Sequence, residues 1–114
     1  MKISTLDKEH VTIIVVDGEL DASSSILLDE SIEKALTNGK KKILVNGTKL
    51  SYISSAGLGV FMSRVQDFEE QGIRMILFGL NDKVLRVFQI LGLDQLLSIT
   101  ASEAEAIEMS DAES

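Results

Sequence analysis

Two hydrophobic periods alternate along this chain, and the alternation limits the folds open to it. Ile43-Leu44-Val45 is short, apolar and unbroken, the pattern of a strand buried on both faces. Downstream, Leu58, Phe61, Met62, Val65 and Phe68 recur at the three- and four-residue spacing of an amphipathic helix. The exchange of periods repeats on either side. Residues 11–16 are a β-branched run, and from Ser24 onward Leu28, Ile32, Ala35 and Leu36 share one helical face until Asn38-Gly39 stops the helix. Residues 75–78 read as a strand, followed by a helix marked by Val84, Val87, Phe88 and Leu91 and ended by Gly92. Residues 96–100 supply a last strand, and Ser102-Glu103-Ala104-Glu105 is a capping pattern for a short final helix. Strands exchanged with helices in this way specify an α/β layer structure with a mostly parallel sheet. The opening differs. Residues 3–6 and 11–16 are two strand-like runs joined by polar Asp7-Lys8-Glu9-His10, which predicts an antiparallel hairpin. The expected fold is therefore α/β, with a mixed, mostly parallel sheet, an N-terminal β-hairpin and about four helices.

A chain of 114 residues with 45% apolar side chains accommodates this pattern in a single domain, residues 1–114, with residues 110–114 as a frayed acidic tail. Composition removes several functions. Without cysteine there is no disulfide, thiolate metal site or cysteine nucleophile, and one histidine cannot build a multi-histidine metal site. Eighteen acidic against eleven basic side chains give a charge of −7, the wrong sign for a nucleic-acid backbone. Lys40-Lys41-Lys42, the basic run, reads as a solvated connection. No apolar run approaches the ~20 residues needed to span a bilayer. Nor does Met1-Lys2-Ile3-Ser4 begin a charged-then-apolar leader, so the expected location is cytoplasmic.

The segment from Leu50 to Val60 links the buried strand to the amphipathic helix and carries the most chemistry. Ser54 and Ser55 fall where that helix begins, beside free backbone N–H groups and the positive end of its dipole. Gly57 and Gly59 take side chains away from the first turn, so another backbone can approach closely. Two readings fit: a serine N-cap with glycines for tight packing, or a phosphorylation site presented on a helix start. A second polar cluster, Asp17-Gly18-Glu19-Leu20-Asp21, follows the strand at residues 11–16. If the strands at residues 11–16 and 43–45 are parallel neighbours, both clusters leave from carboxyl ends of the sheet, where ligands of open α/β sheets gather. Asp21 then shares a rim with Ser55, or simply caps the first helix.

These segments resemble the STAS domain family, and in particular its stand-alone anti-sigma factor antagonists, over nearly the whole chain. Gly18-Glu19-Leu20-Asp21-Ala22 is similar to the family's Gly-x-Leu/Ile-Asp segment. Ile43-Leu44-Val45 followed by Leu50-Ser51-Tyr52-Ile53 resembles the strand leading to its phosphorylation loop. Ser54-Ser55-Ala56-Gly57-Leu58-Gly59-Val60 resembles the signature Asp-Ser-Ser/Thr/Ala-Gly-Leu-Gly-Val. The resemblance implies phosphorylation at Ser55, with Ser54 as second choice. It implies a partner surface made by Asp21, Ser54, Ser55, Ala56, Gly57, Leu58 and Gly59. It further implies a cycle. The unphosphorylated protein binds an anti-sigma factor that is also a serine kinase, a sigma factor is released, phosphorylation reverses the binding, and a metal-dependent serine phosphatase restores it. The free protein is expected to be monomeric, with no cofactor, no metal and no catalytic residue of its own. Two positions depart from the family pattern: Ser54 stands where Asp usually precedes the phosphorylated serine, and Asn46 where an Asp commonly ends the strand.

Three rival readings remain. A serine hydrolase needs a base near Ser55, but the one histidine, His10, falls in the hairpin turn at the other end of its strand, and no Gly-x-Ser-x-Gly elbow is present. A phospho-aspartate receiver has similar length and alternation but needs an Asp where this strand carries Asn46. A constitutive STAS scaffold, insensitive to Ser55, is the alternative function. No Gly-Lys-Ser/Thr phosphate loop supports a nucleotide cofactor.

Overall fold

Side chains alternate across the second strand, β2 (Val11–Leu20), and this sets the layering. Ile14 and Val16 pack on one face with Ile43, Val45 and Leu77. Val11 and Ile13 pack on the other with Leu44, Ile76 and Phe78. The two-residue period of a strand thus places two apolar clusters back to back.

The computed structural model describes residues 1–8 and 11–112. Five strands form one sheet in the order β1 (Lys2–Lys8), β2, β3 (Lys42–Ile53), β4 (Arg74–Phe78) and β5 (Ser98–Thr100). β1 runs antiparallel to β2, and each later pairing is parallel. Helices α1 (Ala22–Thr37), α2 (Ser55–Gln71) and α3 (Asp82–Ile90) cover the first face, and α4 (Glu103–Ala112) packs on the second through Ala106. Phe61 of α2 and Phe88 of α3 are fully buried against each other, ring centroids 6.2 Å apart and tilted by 53°. Gly39, Gly72 and Gly92 follow α1, α2 and α3 with φ of 80°, 70° and 72°, the left-handed conformation that glycine adopts without a Cβ clash. The expected α/β class, mixed sheet and four helices are all present.

Several boundaries differ from the sequence reading. Residues 17–20 belong to β2 rather than to a loop. β3 does not stop near Val45 but runs on to Ile53, so Asn46 lies inside the strand. Irregularities in the β2–β3 ladder between Val15 and Asp17 and between Gly18 and Glu19 break the simple hydrophobic alternation. Buried Leu20, Leu50 and Ile53 then anchor the extension. Asn46 supports the irregularity locally: its Oδ1 accepts from the N–H and the hydroxyl of Thr48 at 3.0 and 2.7 Å. Asp7 and Lys8 belong to β1, and the rest of the predicted turn, including His10, lies outside the described residues. β5 is shorter than expected, preceded by a 3-10 turn at Leu93–Gln95.

Residues 110–112, read as the start of a tail, lie in α4, which continues through Ala112, and residues 113–114 lie outside the described residues. Ser110 is buried and its hydroxyl donates to the Ile107 carbonyl at 2.7 Å. Asp111 pairs with Lys42 at 3.1 Å.

Candidate functional site

β2 and β3 end side by side, with Leu20 opposite Ile53, and each passes into a helix after a single residue. Asp21 is the N-cap of α1 and Ser54 the N-cap of α2. The backbone N–H of Ser54 donates to the carbonyl of Leu20 at 2.9 Å, which ties the two helix starts into one rim. Asp21 and Ser55 are therefore brought to the same end of the sheet, as parallel pairing of the two strands requires.

The two serines have different environments. Ser54 is half-buried, and its hydroxyl oxygen accepts from the N–H of Gly57 at 3.3 Å, satisfying one of the free donors of the first turn. Ser54 thus takes the capping work an Asp at this position would do. Ser55 is the first residue of α2, is exposed, and its hydroxyl has no partner among the described residues.

Asp21 is exposed but committed. One of its oxygens, Oδ1, accepts from the N–H groups of Ser23 and Ser24 at 3.1 and 3.0 Å and from their hydroxyls at 2.9 and 3.0 Å. The hydroxyl of Ser24 in turn accepts from the Asp21 N–H at 2.8 Å, completing a reciprocal cap. The Ser24 N–H, then the hydroxyls of Ser23 and Ser24, hold the Asp21 carboxyl down at about 2. The capping reading of Asp21 and its place on the rim are both correct.

The glycines of the first turn do not share a role. A Cβ on Gly57 would stand 2.9 Å from the side chain of Leu20 and 3.0 Å from that of Ile53, so the absent side chain lets α2 seat directly on the ends of β2 and β3. A Cβ on Gly59 would meet nothing within 4 Å. Glycine inside a helix costs about 0.5–1 kcal/mol relative to alanine, and no packing among the described residues requires that cost at Gly59. Two residues expected on the partner surface point inward: Gly57 is buried, and Leu58 joins the larger core cluster at 8% exposure. Ser55, Ala56 and Gly59 are exposed.

Sequence reading missed two features. Arg64 of α2 reaches across to α1, its Nη2 and Nε lying 2.7 and 3.1 Å from Asp29 Oδ1 and its Nη1 2.8 Å from Glu33 Oε2. Side-chain pairs across helices leave no signature in a single sequence. Ile26 is 61% exposed on the second turn of α1. Its signal was present, because Ile26 lies off the stripe made by Leu28, Ile32 and Ala35.

Elsewhere, a groove of about 560 Å³ lined by Phe68, Ile73, Met75 and Leu97 opens at the amino ends of β4 and β5, at the other end of the sheet from the rim. Among the described residues no cluster of His, Asp or Glu is placed to hold a metal ion, and no helix is long and apolar enough to cross a membrane.

Fold and rim together define a small α/β domain that presents an unengaged serine hydroxyl on a helix start, beside a second capped helix start. The chain belongs to the STAS domain family, whose model matches residues 2–106. It is 31% identical over 105 residues to the anti-sigma-B factor antagonist of Listeria monocytogenes, covering 92% of this chain and 91% of that protein. The anti-sigma factor antagonist SpoIIAA in its unphosphorylated form superposes with a TM-score of 0.72 at 25% identity, covering 95% of this chain and 96% of SpoIIAA. The Bacillus cell fate determinant SpoIIAA in its phosphorylated form gives the same TM-score of 0.72 at 27% identity, covering 95% and 98%.

Proposed function

We propose that this chain is an anti-sigma factor antagonist that works by binding rather than by catalysis. Its unphosphorylated form binds an anti-sigma factor with serine kinase activity and thereby frees a sigma factor. Phosphorylation of Ser55 reverses the binding, and a metal-dependent serine phosphatase restores it. The observation that carries the assignment is the division of labour between the serines. Ser54 spends its oxygen on the cap, while Ser55 is exposed and unengaged. The names of the Listeria relative and of SpoIIAA support the partner class. The setting is the cytoplasm, the free protein is a monomer, and no nucleic acid or membrane is contacted.

The switch has a simple energetic basis. A phosphate adds about −1.5 to −2 charges at neutral pH. At the first residue of α2 the helix dipole favours that charge by about 0.3–1 kcal/mol, so the fold tolerates it. Enclosed in an interface without a partner charge, the same group costs several kcal/mol to desolvate. Each ~1.4 kcal/mol is tenfold in affinity, so the interface term dominates. The equal fit of this chain to both forms of SpoIIAA supports a switch that leaves the fold unchanged.

The test is to incubate the purified protein and ATP with each serine-kinase anti-sigma factor of its source organism, map the phosphate, and titrate binding before and after. Phosphate on Ser55 and at least a hundredfold loss of affinity are expected. Phosphate on Ser54 instead overturns the assignment. Tight binding with no phosphate on either serine identifies a constitutive scaffold.

A further inference from the structure

The groove at the amino ends of β4 and β5 exists because β5 begins late. The sequence predicts a last strand from residue 96, yet pairing with β4 starts only at Ser98, opposite Ile76. Leu93–Gln95 coil into a 3-10 turn, and the N–H groups of Leu96 and Leu97 both bond back to the Leu93 carbonyl, at 3.0 and 2.9 Å. The residues that would have extended β5 are held in that turn, so Arg74 and Met75 of β4 have no strand beside them on that side.

Parallel pairing decides which backbone group is left over. In parallel strands, alternate residues turn both N–H and C=O toward the same neighbour. The Arg74 N–H donates to the Lys41 carbonyl at 2.8 Å, so Arg74 faces β3. The Gly79 N–H donates to the Thr100 carbonyl at 3.3 Å, so Gly79 faces β5, and Met75, four residues earlier, faces the same way. In a longer β5 the Leu96 carbonyl would meet the Met75 N–H; among the described residues no acceptor does. Met75 is buried, and a buried N–H without a partner costs as much as a lost hydrogen bond.

The walls around that donor are apolar: Val65 and Phe68 from α2, Ile73, and Leu97 after the turn. The volume of about 560 Å³ lies within the range of about 300–1,000 Å³ that small-molecule sites occupy. The mouth is electronegative. Glu69 lines it, and the last turn of α2 ends there with no basic residue to offset the negative end of its dipole. Arg74 does not reverse this, because its side chain turns to the other face of the sheet, where Nη2 lies 3.5 Å from the Met109 carbonyl of α4.

We propose that this groove binds an uncharged acyl compound, a small amide or ester whose carbonyl oxygen accepts from the Met75 N–H and whose apolar chain lies on Phe68, Ile73 and Leu97. A single donor at the end of an apolar cleft suits one carbonyl, whereas an added peptide strand needs a row of backbone partners. Glu69 and the end of α2 select against a carboxylate of the same length.

The experiment titrates the full, isotope-labelled chain with octanamide, and separately with octanoate at neutral pH, and follows the backbone amide signals by NMR in wild type and Glu69→Gln. With octanamide, the Met75 amide proton is expected to move downfield, saturating together with the signals of Val65, Phe68, Ile73 and Leu97. Octanoate is expected to bind roughly tenfold more weakly. Glu69→Gln alters an exposed position, so it should melt like wild type while narrowing that gap. No movement of the Met75 signal up to the solubility limit of octanamide overturns the inference. Octanoate binding as tightly as octanamide also overturns it. So do shifts centred on Ile90 and Leu91, which are 74% and 57% exposed and would mark adsorption to the surface. The readout involves neither kinase nor sigma factor, so each of these failures leaves the proposed function standing.

Discussion

Ser54 and Leu20 are joined through their backbones, N–H to carbonyl, at 2.9 Å. Leu20 is the last residue of β2 and Ser54 the first after β3, so this bond continues the sheet ladder one residue past the end of β3. The two helices are thereby launched from a common platform, and changes at one start should be felt at the other.

The serines separate stability from function. Ser54→Ala removes a cap and is expected to cost about 1 kcal/mol, as N-cap deletions do. Ser55→Ala removes an unengaged hydroxyl and is expected to leave stability unchanged while abolishing phosphorylation. Ser54→Asp keeps a capping oxygen and should melt close to wild type. Thermal melts of the three variants, with phosphopeptide mapping after kinase treatment, check this.

Gly57→Ala is expected to destabilise by about 1–3 kcal/mol, because the new methyl overlaps the buried Leu20 side chain. The overlap is local, so Leu20→Val in the same molecule should relieve part of it. A double-mutant cycle in urea should show a coupling between the two positions, and strict additivity would locate the strain elsewhere.

Asp21 supplies a pH signature. Its carboxyl titrates near 2 in the folded chain against 3.8 unperturbed. A lowered pKa means that its stabilisation is complete above the unfolded value and fades as pH falls from 4 toward 2. Asp21→Asn retains an oxygen that can cap but cannot titrate there. The urea midpoint of the variant should therefore fall less steeply between pH 4 and 2 than that of wild type.

Arg64 is expected to resist conservative replacement. Its guanidinium engages Asp29 through two nitrogens and Glu33 through a third. A lysine ammonium cannot reproduce that fork, so Arg64→Lys should lose most of what Arg64→Met loses. Both acids are largely exposed, so the loss should be of order 1 kcal/mol and shrink in high salt.

Much of this molecule was legible in its sequence, and the illegible parts share a cause. Helix cores were readable from Leu28, Ile32, Phe61, Phe68 and Phe88, because a period near 3.6 survives when one face is buried. The central strand was readable because Ile43, Leu44 and Val45 are buried on both sides. The far halves of β2 and β3 were not, because the ladder irregularities near Asp17 and Gly18 break alternation and carry polar residues within paired strands. The order of the rim residues was visible, but the separate roles of Gly57 and Gly59 were not. That distinction depends on where Leu20 and Ile53 sit, which is tertiary information. The same holds for Leu58, whose place in the signature suggests contact with a partner and whose side chain packs in the core.

The sheet order follows the chain order from β1 to β5 without a swap. No strand must be threaded between two that are already paired. Each strand–helix unit can dock on the growing edge as it leaves the ribosome, and the opening hairpin offers the first template before the rest has been synthesised. The last strand is also the shortest, at three residues, so assembly finishes with a small closing step rather than a large rearrangement.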